Sequence, residues 1–180
     1  MWSAIVRVQS GVSLASVIAP SSTGSKKAQT LPPLKTTLAD GHADDTLEVD
    51  ELFTFVQVKA QQRRIWIMQC RRTRQILAFF IGDGSAASCR RLWRKLPVTY
   101  QRCLSYSDFW RAYSWLPTVT HQQVGKETGQ TAHIERLNNT LRQRISRLVR
   151  KTLSFSKREY MLNLHFKLFA YFYNLEHLTA

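Results

Sequence analysis

The sequence predicts an α/β domain, a mixed five-stranded sheet flanked by helices and preceded by a flexible N-terminal segment. Three observations carry this expectation. Three strand-type stretches follow one another between Leu47 and Ile81, joined by short polar links. Helix-type and strand-type stretches then alternate to the end of the chain. Hydrophobic residues make up 44% of the 180 residues, enough for one core of ordinary size.

Residues 1–45 differ in texture from the rest. Ser, Thr, Gly, Pro and Ala dominate, with Ser-Ser-Thr-Gly-Ser at 21–25 and Pro32-Pro33 favouring extended backbone, so the segment reads as linker. The domain proper is expected over 46–180. From Leu47 the pattern alternates: Val49, Glu51, Phe53 and Phe55 point one way, and Glu48, Asp50, Leu52, Thr54 and Val56 the other. Arg63 to Cys70 gives a second strand and Gln75 to Ile81 a continuous apolar third, together an antiparallel meander. Gly82-Asp83-Gly84 ends it. Ser85 to Leu96 reads as a helix, with Ala86, Cys89, Leu92, Trp93 and Leu96 at helical spacing and Pro97 as its stop.

Cys103 to Tyr106 is a short fourth strand running into Asp108. A helical turn at 109–115 and a fifth strand at 119–124 follow. A helix between the third and fourth strands allows a parallel crossover, which is why the sheet is expected to be mixed. Thr131 to Lys157 reads as one helix with three faces. Ile134, Leu137, Leu141, Ile145 and Leu148 form the apolar stripe, and Arg136, Arg144, Arg147, Arg150 and Lys151 gather opposite. A narrow strip between them carries Glu135, Asn139, Arg142 and Ser146. In the last helix Ser156 and Glu159 form a capping box, and Met161, Leu164, His165, Leu168, Phe172 and Leu175 make the core stripe.

The net charge is +14, and from Thr46 onward 22 Lys and Arg face 9 Asp and Glu. Such a surplus implies a polyanionic partner, nucleic acid before an anionic membrane surface. No run approaches the length of a membrane span, and the apolar patch at 12–19 lacks the basic start of a signal peptide. Cys70, Cys89 and Cys103 are odd in number and far apart, with no zinc-type spacing, and read as reduced buried thiols of a cytoplasmic protein.

Against this cationic background three acids attract notice: Asp50 in mid-strand, Asp108 at a strand end and Glu135 near a helix start. Carboxylates from two strands and a covering helix are able to converge on magnesium, a hard cation that takes oxygen ligands and keeps several waters. Two such ions would serve an in-line phosphoryl transfer. Each acid also has a plain structural role open to it: a sheet-edge charge, a helix cap before Phe109, or a partner for Arg142.

Three stretches go further. V-D-E-L-F-T-F-V at 49–56, S-D-F-W-R-A-Y at 107–113, and H-I-E-R-L-N-N-T-L-R-Q-R at 133–144 followed by R-K-T-L-S-F-S-K at 150–157 resemble transposases of the insertion-sequence-one family. The similarity runs from about Leu31 to Leu175. It implies a ribonuclease-H-like fold and a DDE site of Asp50, Asp108 and Glu135 that holds Mg²⁺, with Mn²⁺ as a substitute. It further implies cutting of DNA strands and their joining to target DNA, by a protein that self-associates on DNA in the nucleoid. The resemblance places Arg142, two turns beyond Glu135, against substrate DNA. Lys126, Arg136, Asn139, Arg147 and Arg150 complete the candidate DNA contacts.

Where the family usually has Trp, this chain has Phe53. Residues 1–30 do not match the family's zinc-binding and helix-turn-helix region, so recognition of the element's ends is expected from an upstream product. His121 and His133 are left out of the site, the latter because two residues along a helix turn it away from Glu135. A silent DNA-binding fragment that modulates intact transposase, and a nuclease acting on hybrids or branched DNA, are the competing readings.

Overall fold

The computed structural model describes residues 28–148 and 155–178. Five strands form one sheet: β1 (Thr46–Phe55), β2 (Gln62–Cys70), β3 (Ile76–Gly82), β4 (Leu104–Ser107) and β5 (His121–Gln123). Their order is β3-β2-β1-β4-β5. The meander β1–β2–β3 is antiparallel, whereas β4 pairs with β1, and β5 with β4, in parallel. The mixed sheet is thus as expected, and its order is consistent with the ribonuclease-H-like arrangement.

Among the described residues the sheet is covered by α1 (Ala86–Lys95), α2 (Ala132–Arg144) and α3 (Glu159–Leu178). The strand alternation decides what packs where. Val49, Trp66 and Met68 face α1 and bury against Cys89, Leu92 and Tyr113. Leu52, Ile65 and Ile67 face the other way and meet Ile134, Leu137 and Leu141 of α2 and Phe166 and Phe169 of α3. Ser85 caps α1, accepting from the Ser88 N–H, while Asp83 takes bonds from the Ser85 N–H and both hydroxyls, which hold its carboxyl down at about 2. All three cysteines are free and buried.

Three expectations need correction. First, the long helix stops at Arg144. Ile145 is extended (φ −105°, ψ 101°), and a 3₁₀ turn at Ser146–Leu148 follows. Neither β-branched Ile nor Ser favours helix, and the break still lets Ile145 and Leu148 bury in the same core as Leu141. The remainder of the expected helix up to residue 154, with Arg150, lies outside the described residues.

Second, the Ser156–Glu159 capping box does not form. Ser156 bridges to Val56, its backbone carbonyl accepts from the Gln57 N–H, and its hydroxyl is buried without a partner among the described residues. The carboxylate of Glu159 pairs with Arg63 instead. Third, α3 is apolar on two faces. Leu162, Phe166, Phe169 and Tyr173 meet the sheet, while Leu164, Leu168 and Met161 pack with Ala28 and Leu31. A helix that is apolar all round must be covered on both sides. This explains why residues 28–45 lie against the domain. Thr37 there is buried and takes a hydrogen bond from Asn174, whose amide also bonds both backbone groups of Ile76 on the edge strand.

Candidate active site

The site begins with strand register. Glu48 of β1 pairs with Tyr106 of β4 in parallel. Carrying that register two residues on brings Asp108, the first residue past β4, abreast of Asp50, on strands spaced about 4.8 Å apart. Asp108 is then held in a turn. Its Oδ1 accepts from the Trp110 N–H at 2.9 Å, and its carbonyl accepts from Ser107 Oγ at 2.9 Å and Gln123 Nε2 at 3.1 Å. Gly129, in the left-handed region at φ 67°, closes the turn at Lys126–Thr128 that leads into α2. The apolar stripe of α2 then lays Glu135, in the first helical turn, over β1.

The result is an open cleft of about 300 Å³ lined by Asp50, Glu51, Asp108, Lys126, Glu135, Asn138, Asn139 and Arg142 among others. Of the residues singled out in the sequence, the three acids with Lys126, Asn139 and Arg142 are brought together. Arg136 is exposed on α2 and does not line the cleft. Arg147 turns toward α3, where it donates to His165 Nε2 and to the Phe155 carbonyl, both at 3.4 Å. The helix break at Ile145 is what redirects it.

The electrostatics follow from the crowding of carboxylates. The Asp50 carboxyl is pushed up to about 6, first by burial and then by repulsion from Asp108 and Glu135, against bonds from the Glu51 N–H and Asn138. Glu51 points to the opposite face of the strand and is pushed up to about 7, chiefly by burial. The Tyr113 hydroxyl donates to it at 2.5 Å and lowers it, while Asp50 and Asp108 raise it. Among the described residues no three Asp, Glu, His or Cys side chains stand in a closed metal-binding group. Repulsion by Asp108 and Glu135 adds to burial in raising Asp50. The donor set fits a hard cation: three carboxylates line an open polar cleft.

Two further residues belong to the architecture of this site. Glu48, on the same face of β1 as Asp50, is fully buried. Its Oε1 accepts from Arg71 Nε at 2.9 Å and His133 Nδ1 at 2.7 Å, and its Oε2 from the N–H groups of His133 and Ile134, both at 3.0 Å. It therefore caps α2 from the neighbouring strand and fixes the helix that carries Glu135. His133 does turn away from Glu135, as a helix requires, and it turns onto Glu48. The second residue is Asn138, whose Nδ2 donates to Asp50 Oδ2 at 2.7 Å. A helical wheel contains the signal for it, since Asn138 lies three residues beyond Glu135 and four before Arg142. His121 is buried between Ser105 and Ser107 and held neutral, its pKa pushed down by burial to about 4.

Comparison with known proteins bears on the family of the chain. The IS1 transposase family matches residues 46–179. Insertion element iso-IS1n protein InsB of Shigella dysenteriae is 36% identical over 110 residues, covering 61% of this chain and 82% of that protein. Insertion element IS1 protein InsB of Shigella flexneri is 32% identical over 130 residues, 72% of this chain and 95% of its own length. An IS1 InsB of Escherichia coli K12 is 31% identical over 130 residues, 72% of this chain and 74% of that protein. No helix among the described residues is long and apolar enough to cross a membrane. The chain belongs to the IS1 transposase family.

Proposed function

We propose that this chain carries out metal-dependent DNA strand cleavage and strand transfer for an insertion sequence, with Asp50, Asp108 and Glu135 as the cation-holding carboxylates. The observation that carries the proposal is their convergence, from two strands and a helix, on one cleft that also exposes Lys126, Asn139 and Arg142. Bound Mg²⁺, or Mn²⁺ in its place, would supply Lewis-acid stabilisation of the attacking and leaving oxygens of a phosphodiester. The chain's own residues do the rest. Asp50 presents a carboxylate held unusually basic by burial and, after it, by Asp108 and Glu135, so its interaction with a cation is correspondingly favourable. Lys126 and Arg142 flank the acids and offer charge to DNA phosphates on either side of the scissile one. Arg136, exposed one residue beyond Glu135, extends that surface. Glu48 and the register of β1 with β4 hold the carboxylates in place, which is where positioning contributes to rate.

The protein is proposed to act in the cytoplasm on nucleoid DNA, self-associating there and taking its choice of element ends from an upstream recognition product. The test is strand nicking and joining on duplexes bearing the element ends, with Mg²⁺. Asp108→Asn is expected to abolish both reactions, because a neutral amide is a poor ligand for a hard cation. Undiminished nicking would remove Asp108 from the site. Inactivity of the wild-type chain together with intact DNA binding would favour a silent modulator of intact transposase.

A further inference from the structure

Among the described residues two uncharged side chains of the cleft touch candidate cation ligands: Thr131 donates its hydroxyl to Glu135 at 3.2 Å, and Asn138 meets Asp50. Asn138 is 8% exposed, and its Nδ2 donates to Asp50 Oδ2 at 2.7 Å. An ionised carboxylate only accepts hydrogen bonds, so this contact fixes which end of the amide faces Asp50. The carbonyl end must face away. That Oδ1 is buried and has no hydrogen-bond partner among the described residues, although Asn138 lies on the wall of a polar cleft. Buried polar oxygens are rarely left unmatched, because desolvating one without a partner costs about 1–3 kcal/mol. The amide is therefore oriented by its bond to Asp50, although its acceptor end goes unmatched among the described residues.

We infer that Asn138 is a positioning residue of this site. Its Nδ2–H holds the Asp50 carboxylate in the rotamer offered to the cleft. The inference rests on the reading of Asp50 as a cation ligand. Mg²⁺ binds through only a few carboxylates plus retained waters, so the orientation of each carboxylate matters. Partners that orient direct ligands typically change metal affinity 10–100-fold when removed. The residue type also matters. A carboxylate at 138 would add a fourth negative charge beside three, and an aliphatic side chain would remove the bond that α2 gives Asp50 and leave the one from the Glu51 N–H. An amide supplies the donor without charge.

The experiment measures Mn²⁺ binding to the full chain without DNA, by water-proton relaxation, for wild type, Asn138→Ala, Asp50→Asn and Gln143→Ala. Gln143 is exposed on the same helix, outside the cleft, and serves as the control. Asn138→Ala is expected to weaken Mn²⁺ binding about tenfold or more, Asp50→Asn to weaken it further, and Gln143→Ala to leave it within about twofold. A purely structural role predicts lower thermal stability for Asn138→Ala with unchanged Mn²⁺ affinity, and that result overturns the inference. Normal Mn²⁺ affinity in Asp50→Asn overturns instead the reading on which it rests, and the inference with it.

Should the alanine variant not fold, the isosteric Asn138→Asp decides the matter. Its carboxylate opposes Asp50, so the metal-free variant is expected to melt below wild type. Saturating Mn²⁺ is then expected to raise its melting temperature by more degrees than it raises that of wild type. An equal or smaller increment contradicts a place for residue 138 in the cation site.

Discussion

Glu48 and Asp50 are two acids on the same face of one strand, two residues apart, and they have opposite fates. Glu48 receives four hydrogen bonds, from Arg71, the His133 ring and two N–H groups at the start of α2. A carboxylate has about four lone-pair sites, so Glu48 is saturated. Asp50 receives two, from the Glu51 N–H and from Asn138, and looks across the cleft at two more carboxylates. One acid is finished by the protein and the other is left half open. Glu48 is fully buried and Asp50 half-buried on the cleft, so exposure and the count of donors together separate the structural acid from the chemical one.

The comparison is sharpest in stability. Glu48→Ala strips the partner from Arg71 and His133 and leaves two α2 N–H groups without an acceptor. It is expected to cost about 3 kcal/mol or more in urea unfolding, the range for breaking a buried ion pair. A loss under about 1 kcal/mol would mean that Glu48 is not the anchor of α2.

Asp50→Asn is expected to do the reverse. A carboxyl raised to about 6 in the folded state, against an ordinary 3.8, binds its proton more tightly folded than unfolded. Its contribution is therefore fully favourable below about pH 4 and declines as pH rises through about 6, so at neutral pH the ionised group opposes folding. The Asn variant escapes that decline. Near pH 7 it should be more stable than wild type by about 1–2 kcal/mol, and the difference should vanish toward pH 4. Equal stability at both pH values would show that neither burial nor the neighbouring carboxylates raise Asp50 in the folded state.

Arg142→Ala should produce the smallest change in fold and a clear one in binding. Its strip of α2 is not the apolar one, so unfolding free energy should move by no more than about 0.5 kcal/mol. Affinity for duplex DNA should fall, and the slope of log K against log salt should lessen by about 0.9, the value for one lost phosphate contact. An unchanged slope would place Arg142 in an internal role.

The pattern of what was legible in the sequence follows the same physics. Alternation in β1 and the apolar stripe of α2 are local signals repeated over many residues, and both hold at the level of individual side chains. The helix end at Arg144 was not legible, because the apolar stripe continues through Ile145 and Leu148 although the backbone changes there. For α3 the periodicity picked out one of two apolar faces, the one that residues 28–31 cover rather than the one on the sheet. Within the site, Asp50, Asp108 and Glu135 stood out through the motifs around them and not through spacing. Glu48 lies outside those motifs and Asn138 lies inside one without standing out in it, and the roles of both depend on partners distant in the chain. Arg147 shows the converse: its place on a continuous helix pointed to DNA, and the break at Ile145 sent it to His165.

The most direct measurement of the central claim is anomalous scattering from crystals of the chain soaked in Mn²⁺. The account predicts a peak in the cleft, with oxygens of Asp50, Asp108 and Glu135 about 2.1 Å from it, near the distance typical of small octahedral cations. It also predicts loss of that peak in Asp108→Asn. A peak at Asp83 or another surface acid with the cleft empty, or a cleft peak that survives Asp108→Asn unchanged, would contradict it.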